Sequence, residues 1–409
     1  MKMYNFRFRT LMSMVCIALL TVVSSCSDDK DPVTYYDVAV SDILPSSLPE
    51  TYTVASGSLT FKELNTGEVI AKTLPLTDGL SVPAGTYNVE GRMTVRYDNG
   101  GVPAERSLRA VASQMVVSAD KTVDLEWFFF NSENTLIFGE IFLSGTLNAT
   151  GKTGLYDSYF TIYNNTDEVQ YADGLAICES KIVNSVNYEI VSPENFIDNN
   201  FTAQTVYVIP GGGTDVPVNP GEYIKIVDQA IDWNAQVPGA MNHTDADFEW
   251  YDEVTSGNVR DTDNPSVPNL DKWYSYSRTI WLPSQQCNRS YALVRFPDGM
   301  TPERFVMEQA CVYTYLGATG KEMTSETNKL IKNEWIIDGV NLCPTEAWKR
   351  NSLTASVDMS YAAISGKNND PDKYGKKFVR KKAGISTDGN MALQDTDDSA
   401  NDFEVVSVK

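Results

Sequence analysis

Tyr159-Phe160-Thr161-Ile162-Tyr163-Asn164-Asn165-Thr166-Asp167-Glu168-Val169-Gln170-Tyr171 is the stretch whose reading decides the fold. Phe160 and Ile162, then Val169 and Tyr171, alternate with other residues, the period of two that puts one face of a strand into a core. Between them, Asn164-Asn165-Thr166-Asp167 is rich in residues that bond their own backbone and tolerate left-handed conformations, so a turn is predicted there. If the two runs pair, one apolar face enters a core. The class expected from this stretch is all-β.

The surrounding sequence repeats the pattern. Downstream of 131, Leu136-Ile137-Phe138-Gly139-Glu140-Ile141-Phe142 reads as a strand, followed by a polar loop containing Gly145, Gly151 and Gly154. Thr301-Pro302-Glu303 offers an N-cap, a proline in the first turn and an early acid, predicting a short helix over 302–312. Trp335 to Val340 reads as a strand, and a polar run over 393–402 leads to a last strand over 403–408. Upstream, Leu59-Thr60-Phe61-Lys62-Glu63, the turn Asn65-Thr66-Gly67 and Glu68-Val69-Ile70 predict a hairpin. Val82 to Glu90 continues the alternation. Trp127-Phe128-Phe129-Phe130 is expected as a buried closing strand, with 131–134 as the linker. With 37 Tyr and Phe and 7 Trp, the chain suits pleated, half-buried surfaces.

Several segments resemble known families. Pro83-Ala84-Gly85-Thr86-Tyr87-Asn88-Val89 resembles a strand of carboxypeptidase-regulatory and transthyretin-like Ig-type modules, in which the Tyr packs into the core. The Glu140 strand, the strand ending in Tyr163-Asn164, the polar turn and the step Gly174-Leu175 resemble the lamin-tail domain, with Thr161 where that family carries an acid. Asn219-Pro220-Gly221-Glu222-Tyr223-Ile224-Lys225-Ile226 resembles its later turn and strand. The layout as a whole is similar to a family of Bacteroides lipoproteins that carries no established activity. The resemblance implies two Ig-like β-sandwich domains, at 36–130 and 131–409, the second elaborated with long loops and one or two short helices.

The first 25 residues have the layout of an export signal: Lys2, Arg7 and Arg9, then an apolar core from Leu11 to Val23, then Ser24-Ser25. Val23-Ser24-Ser25-Cys26 resembles the bacterial lipobox, so Cys26 is expected to be acylated and to begin the mature chain. Several acyl chains anchor stably where one binds only marginally. Ser27-Asp28-Asp29-Lys30-Asp31, within an acidic tether over 26–35, resembles the tag that sends lipoproteins of the Bacteroidota to the cell exterior. The expected location is the outer membrane, facing outward.

Removing the signal's three basic residues changes the formal charge from −21 to −24. A field of that sign repels nucleic acid and anionic lipid, so no nucleic-acid partner is expected. The basic run Lys373, Lys376, Lys377, Arg380, Lys381, Lys382 is read as neutralising acidic neighbours. Cys178, Cys287, Cys311 and Cys343 match no zinc spacing, and both free thiols and three disulfide pairings remain open.

Candidate sites are sparse. His243 is the only histidine, no Gly-x-Ser-x-Gly elbow accompanies it, and a structural role is expected. Pro210-Gly211-Gly212-Gly213-Thr214-Asp215 lacks the Gly-Lys-Ser/Thr ending of a phosphate loop and is read as a plain loop. Asp261 with Asp263, and Asp395-Thr396-Asp397-Asp398, alternate oxygens as calcium loops do, without the glycine and distal Glu of an EF-hand; no other cofactor is expected. Trp250, Trp273 and Tyr276 form the candidate ligand platform. Ser399, in Asp398-Ser399-Ala400, fits a bacterial O-glycosylation pattern. No spacing singles out a pair of catalytic carboxylates, so an enzyme is not expected. The function expected is a lipid-anchored surface binding or adhesion protein, an accessory to an outer-membrane nutrient-uptake receptor. The rivals are a protein-interaction module without a small ligand and a carbohydrate-active enzyme.

Overall fold

The computed structural model describes residues 33–408 apart from 46–47, 78, 100–101, 130–135, 149, 152–155, 194–195, 198–199, 255–260 and 318. The signal, Cys26 and most of the acidic tether lie outside the described residues. Tyr35–Lys409 is one compact unit. Among the described residues it holds twenty-five strands and two α-helices, so the protein is mostly β.

The strands of the first sheet all come from 35–129. In order they are Val69–Thr73, Thr53–Glu63, Gly85–Asn99, Val102–Val117, Lys121–Phe129, Tyr35–Ile43 and Leu80–Pro83. The strand Lys121–Phe129 pairs with Tyr35–Ile43 through its first six residues and with Val102–Val117 through its last three. That change of partner curls the sheet, and one cluster of Leu59, Phe61, Tyr87, Val89, Leu125 and Trp127 fills the inside. The expected hairpin is present, with Gly67 at φ +75° in its turn. Trp127 is buried because Gly91 has no side chain: a Cβ there would lie 2.4 Å from its ring.

Beyond residue 135 two sheets share the largest cluster. A six-stranded sheet runs Phe248–Glu249, Tyr223–Val227, Tyr159–Asn164, Leu136–Phe142, Lys376–Arg380, Phe403–Ser407. An eight-stranded one contains Leu175–Ser180, Asn200–Val208, Ser290–Arg295 and Ile336–Asn341. Phe138, Phe160, Ile226 and Phe378 from the first meet Ile177, Tyr207, Tyr291 and Val340 from the second. The other face of the eight-stranded sheet is covered by Phe305 of the helix Pro302–Glu308 and by Trp273 and Phe296. That helix is capped by Thr301, whose side chain accepts from Arg304 N, and stops at 308 rather than 312 because the strand Ala310–Leu316 begins there.

The Asn164 turn forms as its residues require. Asn164 Oδ1 accepts from Thr166 N at 3.0 Å, while its amide donates to Glu168 O and Val218 O, both at 2.8 Å. The partner run does not behave as expected. Gln170–Tyr171 pairs with Pro217–Val218 in a separate two-stranded ribbon, leaving Val169 42% and Tyr171 40% exposed. Strand Tyr159–Asn164 instead takes Leu136–Phe142 and Tyr223–Val227 as neighbours.

Candidate functional site

The strand Ile336–Asn341 is preceded by a tight turn, Asn333–Trp335, and followed by a long loop that crosses back over its end. Asn333, Glu334, Ile336, Ile337 and Asp338 from the first part, Ser356 and Val357 from the loop, and Asp397 from the C-terminal tail line a cleft of about 320 Å³. Ile336, Ile337 and Val357 supply its apolar surface, and carboxylates, an amide and a hydroxyl supply polar groups of the kind that orient a small ligand.

The carboxylates have unequal duties. Asp338 accepts from Arg380 Nη2 through both oxygens, and from the backbone N–H groups of Phe138 at 2.6 Å and Gly339 at 2.9 Å. Burial pushes its carboxyl up, with Arg380 the main opposing influence. Arg380, fully buried, also reaches Asp395 at 2.8 Å and Asp402 at 3.5 Å. Arg380 of the basic run thus lies inside the protein, neutralising acids. Asp397 is the member that faces the cleft. Its φ is +53°, a conformation rare for a residue with a Cβ, and Arg106 of the curled sheet pairs with it at 2.6 Å. Burial and the charge of Asp395 push its carboxyl up to about 7 despite Arg106. Asn333 donates to Thr354 Oγ1 at 2.8 Å, while its carbonyl oxygen has no partner. With Asp338 saturated by donors, this pair cannot serve as nucleophile and acid in glycoside cleavage, which needs both carboxyls available.

The same loop presents an aromatic pair to solvent. Trp348 stacks on Tyr361, ring centres 5.5 Å apart and planes within 9°, and remains 42% exposed. Its indole N–H donates to Asn351 Oδ1 at 2.9 Å, which fixes the ring.

The aromatics selected from the sequence are distributed differently. Trp250 is wholly buried against Phe160 and Trp281 and cannot meet a ligand at the surface. Trp273 stacks on Phe296 at 5.0 Å, covering the helix side of the eight-stranded sheet. Tyr276 alone is open, 49% exposed with Lys181 5.0 Å over its ring. The three form no common platform: Trp250 belongs to the core between the two sheets, Trp273 to the cover over the eight-stranded sheet and Tyr276 to the surface.

Asp261 and Asp263 also part company. Asp261 turns inward to accept from Gln229 Nε2 at 2.8 Å and Asp252 N at 2.9 Å, whereas Asp263 faces Asn269 Nδ2 at 2.9 Å. In the second Asp-rich loop, Asp395 and Asp397 are spent on arginines and Asp398 caps the helix Ser399–Asp402. Among the described residues no three His, Cys, Asp or Glu side chains are grouped to hold a metal. Ser399 is 2% exposed and its hydroxyl donates to Asp358 at 2.5 Å, so a glycosyltransferase could not reach it in the folded chain. The glycine-rich loop is occupied by the chain's own anion: Gly213, Asp215 and Val216 N–H groups surround the Asp173 carboxylate at 3.3, 2.9 and 2.8 Å. His243 is fully buried, its Nε2 2.9 Å from Asp157 O, and burial lowers its pKa to about 4. Cys178, Cys287 and Cys343 are buried free thiols, and Cys311 is a partly buried one.

Trp348, Tyr361 and Asn333 escaped sequence reasoning. The only signal was a tryptophan in a polar run, Thr345-Glu346-Ala347-Trp348-Lys349-Arg350-Asn351, where no apolar alternation gives it a core to face.

Comparison with known proteins places the site within a matched region. Residues 219–409 match the model of a protein family of unknown function, DUF4876. The chain is similar to the crystal structure of a DUF4876 family protein from Bacteroides thetaiotaomicron VPI-5482, with TM-score 0.57 and 19% identity, over 92% of this chain and 96% of that one. At that identity the likeness shows the fold alone. A described adhesin candidate from Bacteroides ovatus ATCC 8483 matches at TM-score 0.19 and 10% identity, over 77% of this chain and 91% of that one, too little to carry an argument. No curated protein matches. Among the described residues no helix is long and apolar enough to cross a membrane.

Proposed function

We propose that the protein is a non-catalytic binding or adhesion component of the cell surface, held at the outer membrane by acyl chains on Cys26, and that it captures a polyhydroxylated ligand. The observation that carries the reading is the loop bearing the exposed Trp348–Tyr361 stack, which also supplies Ser356 and Val357 to the polar cleft. A sugar ring has an apolar face suited to an indole and hydroxyl edges suited to carboxylates and amides. Asn351 holds the indole in place, so little side-chain entropy is lost on binding. Two Ig-like sandwich domains remain the reading of the architecture. Service beside a nutrient-uptake receptor fits a chain of strong negative charge anchored outside the cell.

Glycan-array screening followed by calorimetry on the best hit tests the reading. Trp348→Ala is expected to weaken binding about tenfold, the loss of roughly 1.4 kcal/mol of stacking, and Asp397→Asn to weaken it further. Absence of glycan binding, or binding indifferent to Trp348→Ala, overturns it. The anchor is checked separately: radiolabelled palmitate should enter the wild type and not Cys26→Ala.

A further inference from the structure

The chain that leaves the strand Leu175–Ser180, residues 181–184, gathers cations. Arg289 Nη1 donates to Ser180 O at 2.6 Å and to Lys181 O at 2.9 Å, which fixes its guanidinium against the end of that strand. Lys181 Nζ donates to Thr327 Oγ1 at 3.2 Å and lies 5.0 Å over the ring of Tyr276. Three residues on, Asn184 O accepts from Lys349 N at 2.9 Å, which brings in Lys349. Lys349 directly follows Trp348, so the cations run up to the Trp348–Tyr361 stack.

Lys225, Lys272 and Lys377 each meet a carboxylate, whereas Lys181, Arg289 and Lys349 meet none among the described residues. In a chain of net charge −21 such a group is an exception. The acid nearest to Lys181 in sequence, Glu179, is buried and turns inward to Gln204, Trp281 and Tyr291. Burial and the charge of Arg289 lower the pKa of Lys181, with no acid opposing them. Arg289 Nε and Nη2 have no partner among the described residues and are not sealed from solvent. That edge of a guanidinium offers two parallel N–H donors in the spacing of a carboxylate or a sulfate. Two carbonyls hold it in place beforehand, so little freedom is lost on binding. The overall negative charge does not forbid an anion here, because salt screens charges beyond ~8 Å at physiological ionic strength.

We propose that Arg289, assisted by Lys181 and Lys349, receives the acid group of a charged saccharide, a carboxylate or a sulfate ester, while an uncharged ring face of the same ligand rests on Trp348. The proposal rests on the reading of Trp348 as a sugar-stacking residue and narrows the ligand to acidic glycans.

Calorimetric titration of the full chain with two matched pairs of polymers tests this: polygalacturonate against its methyl ester, and dextran sulfate against dextran. The wild type should bind at least one charged member about tenfold or more tighter than its neutral twin, and the member preferred identifies carboxylate or sulfate. Arg289→Gln should remove that preference, and Lys72→Gln, on the strand Val69–Thr73 of the other sheet, should leave it within about twofold. Should Arg289→Gln not fold, the combination of Lys181→Gln and Lys349→Gln is expected to reduce the preference about tenfold instead. Equal affinity for charged and neutral twins overturns the proposal, and so does a preference that survives these variants. Trp348→Ala separates the two readings. If the wild type shows no charge preference but Trp348→Ala weakens both twins, the stacking reading stands and this one falls. If the charge preference is lost in Arg289→Gln and untouched by Trp348→Ala, the anion site stands and the stacking reading falls.

Discussion

Arg380 Nη2 stands 2.9 Å from each carboxylate oxygen of Asp338, with both side chains all but excluded from solvent. The pair joins the six-stranded sheet, which carries Arg380, to the eight-stranded sheet, which carries Asp338. The same guanidinium reaches Asp395 and Asp402, so one cation ties together the strand Ile336–Asn341, the loop at Asp395 and the helix Ser399–Asp402. A buried ion pair is weak evidence of stability when compared with an apolar replacement of both partners, but removing one partner strands the other.

Arg380→Met should therefore be severe. It leaves Asp338, Asp395 and Asp402 buried without their cation, and the expected cost is about 3–5 kcal/mol. The midpoint of urea denaturation measures it, and Arg380→Met combined with Asp338→Leu should recover part of the loss.

Glu90 is the corresponding tie at the curled sheet. Its Oε1 accepts from Arg109 Nε at 3.0 Å, and its Oε2 from the Thr387 hydroxyl at 3.1 Å, almost 300 residues along the chain. Both charged partners are buried. Glu90→Ala is expected to destabilise by about 3–5 kcal/mol, because the buried Arg109 guanidinium loses its paired carboxylate. The midpoint of urea denaturation measures it.

His243 gives a pH signature. Its pKa falls from the ordinary ~6.5 to about 4, because burial opposes its charge and Nδ1 lacks any acceptor. The folded state binds the proton less well than the unfolded one, so the contribution is present above the unfolded value and is lost as pH falls through about 4. Between the two values the loss is on the order of 3 kcal/mol. Glu249 and Asp397, raised to about 6 and about 7, act in the opposite sense. The effect is therefore read as the difference between wild type and His243→Gln, whose stability gap should shrink as pH drops from 6.5 to 4.

Gly91→Ala tests close packing in the curled sheet. The added methyl would meet the Trp127 ring at 2.4 Å, and the expected penalty is about 1–3 kcal/mol of overpacking. Thermal denaturation measures it, and Gly91→Ala with Trp127→Phe should be less destabilised than Gly91→Ala alone.

Much of the fold was legible because strand periodicity is local. Phe160 and Ile162 announce a core face in their own neighbourhood, Asn164 carries the donors and acceptor that make its turn, and Thr301-Pro302-Glu303 starts a helix without distant help. The errors arose where a partner had to be chosen. Val169 and Tyr171 alternate correctly yet stay exposed, because Pro217–Val218 rather than Phe160 takes up their strand. Trp250 and Trp273 looked equivalent as aromatics in polar surroundings, but only the stacking of sheets decided that one would be a core residue and the other a cover.

By itself, then, the sequence determined a β-rich chain of strong negative charge, with turns at its Asn and Gly clusters. Only the tertiary structure decided which acids would be spent on arginine, as Asp338, Asp395 and Asp397 are, and which would be buried apart from one, as Asp157 is. It also decided that Trp348, and not Trp250, would face solvent. The physical reason is range. Alternation and turn chemistry act within a few residues, whereas burial and charge pairing depend on segments brought together from opposite ends of the chain.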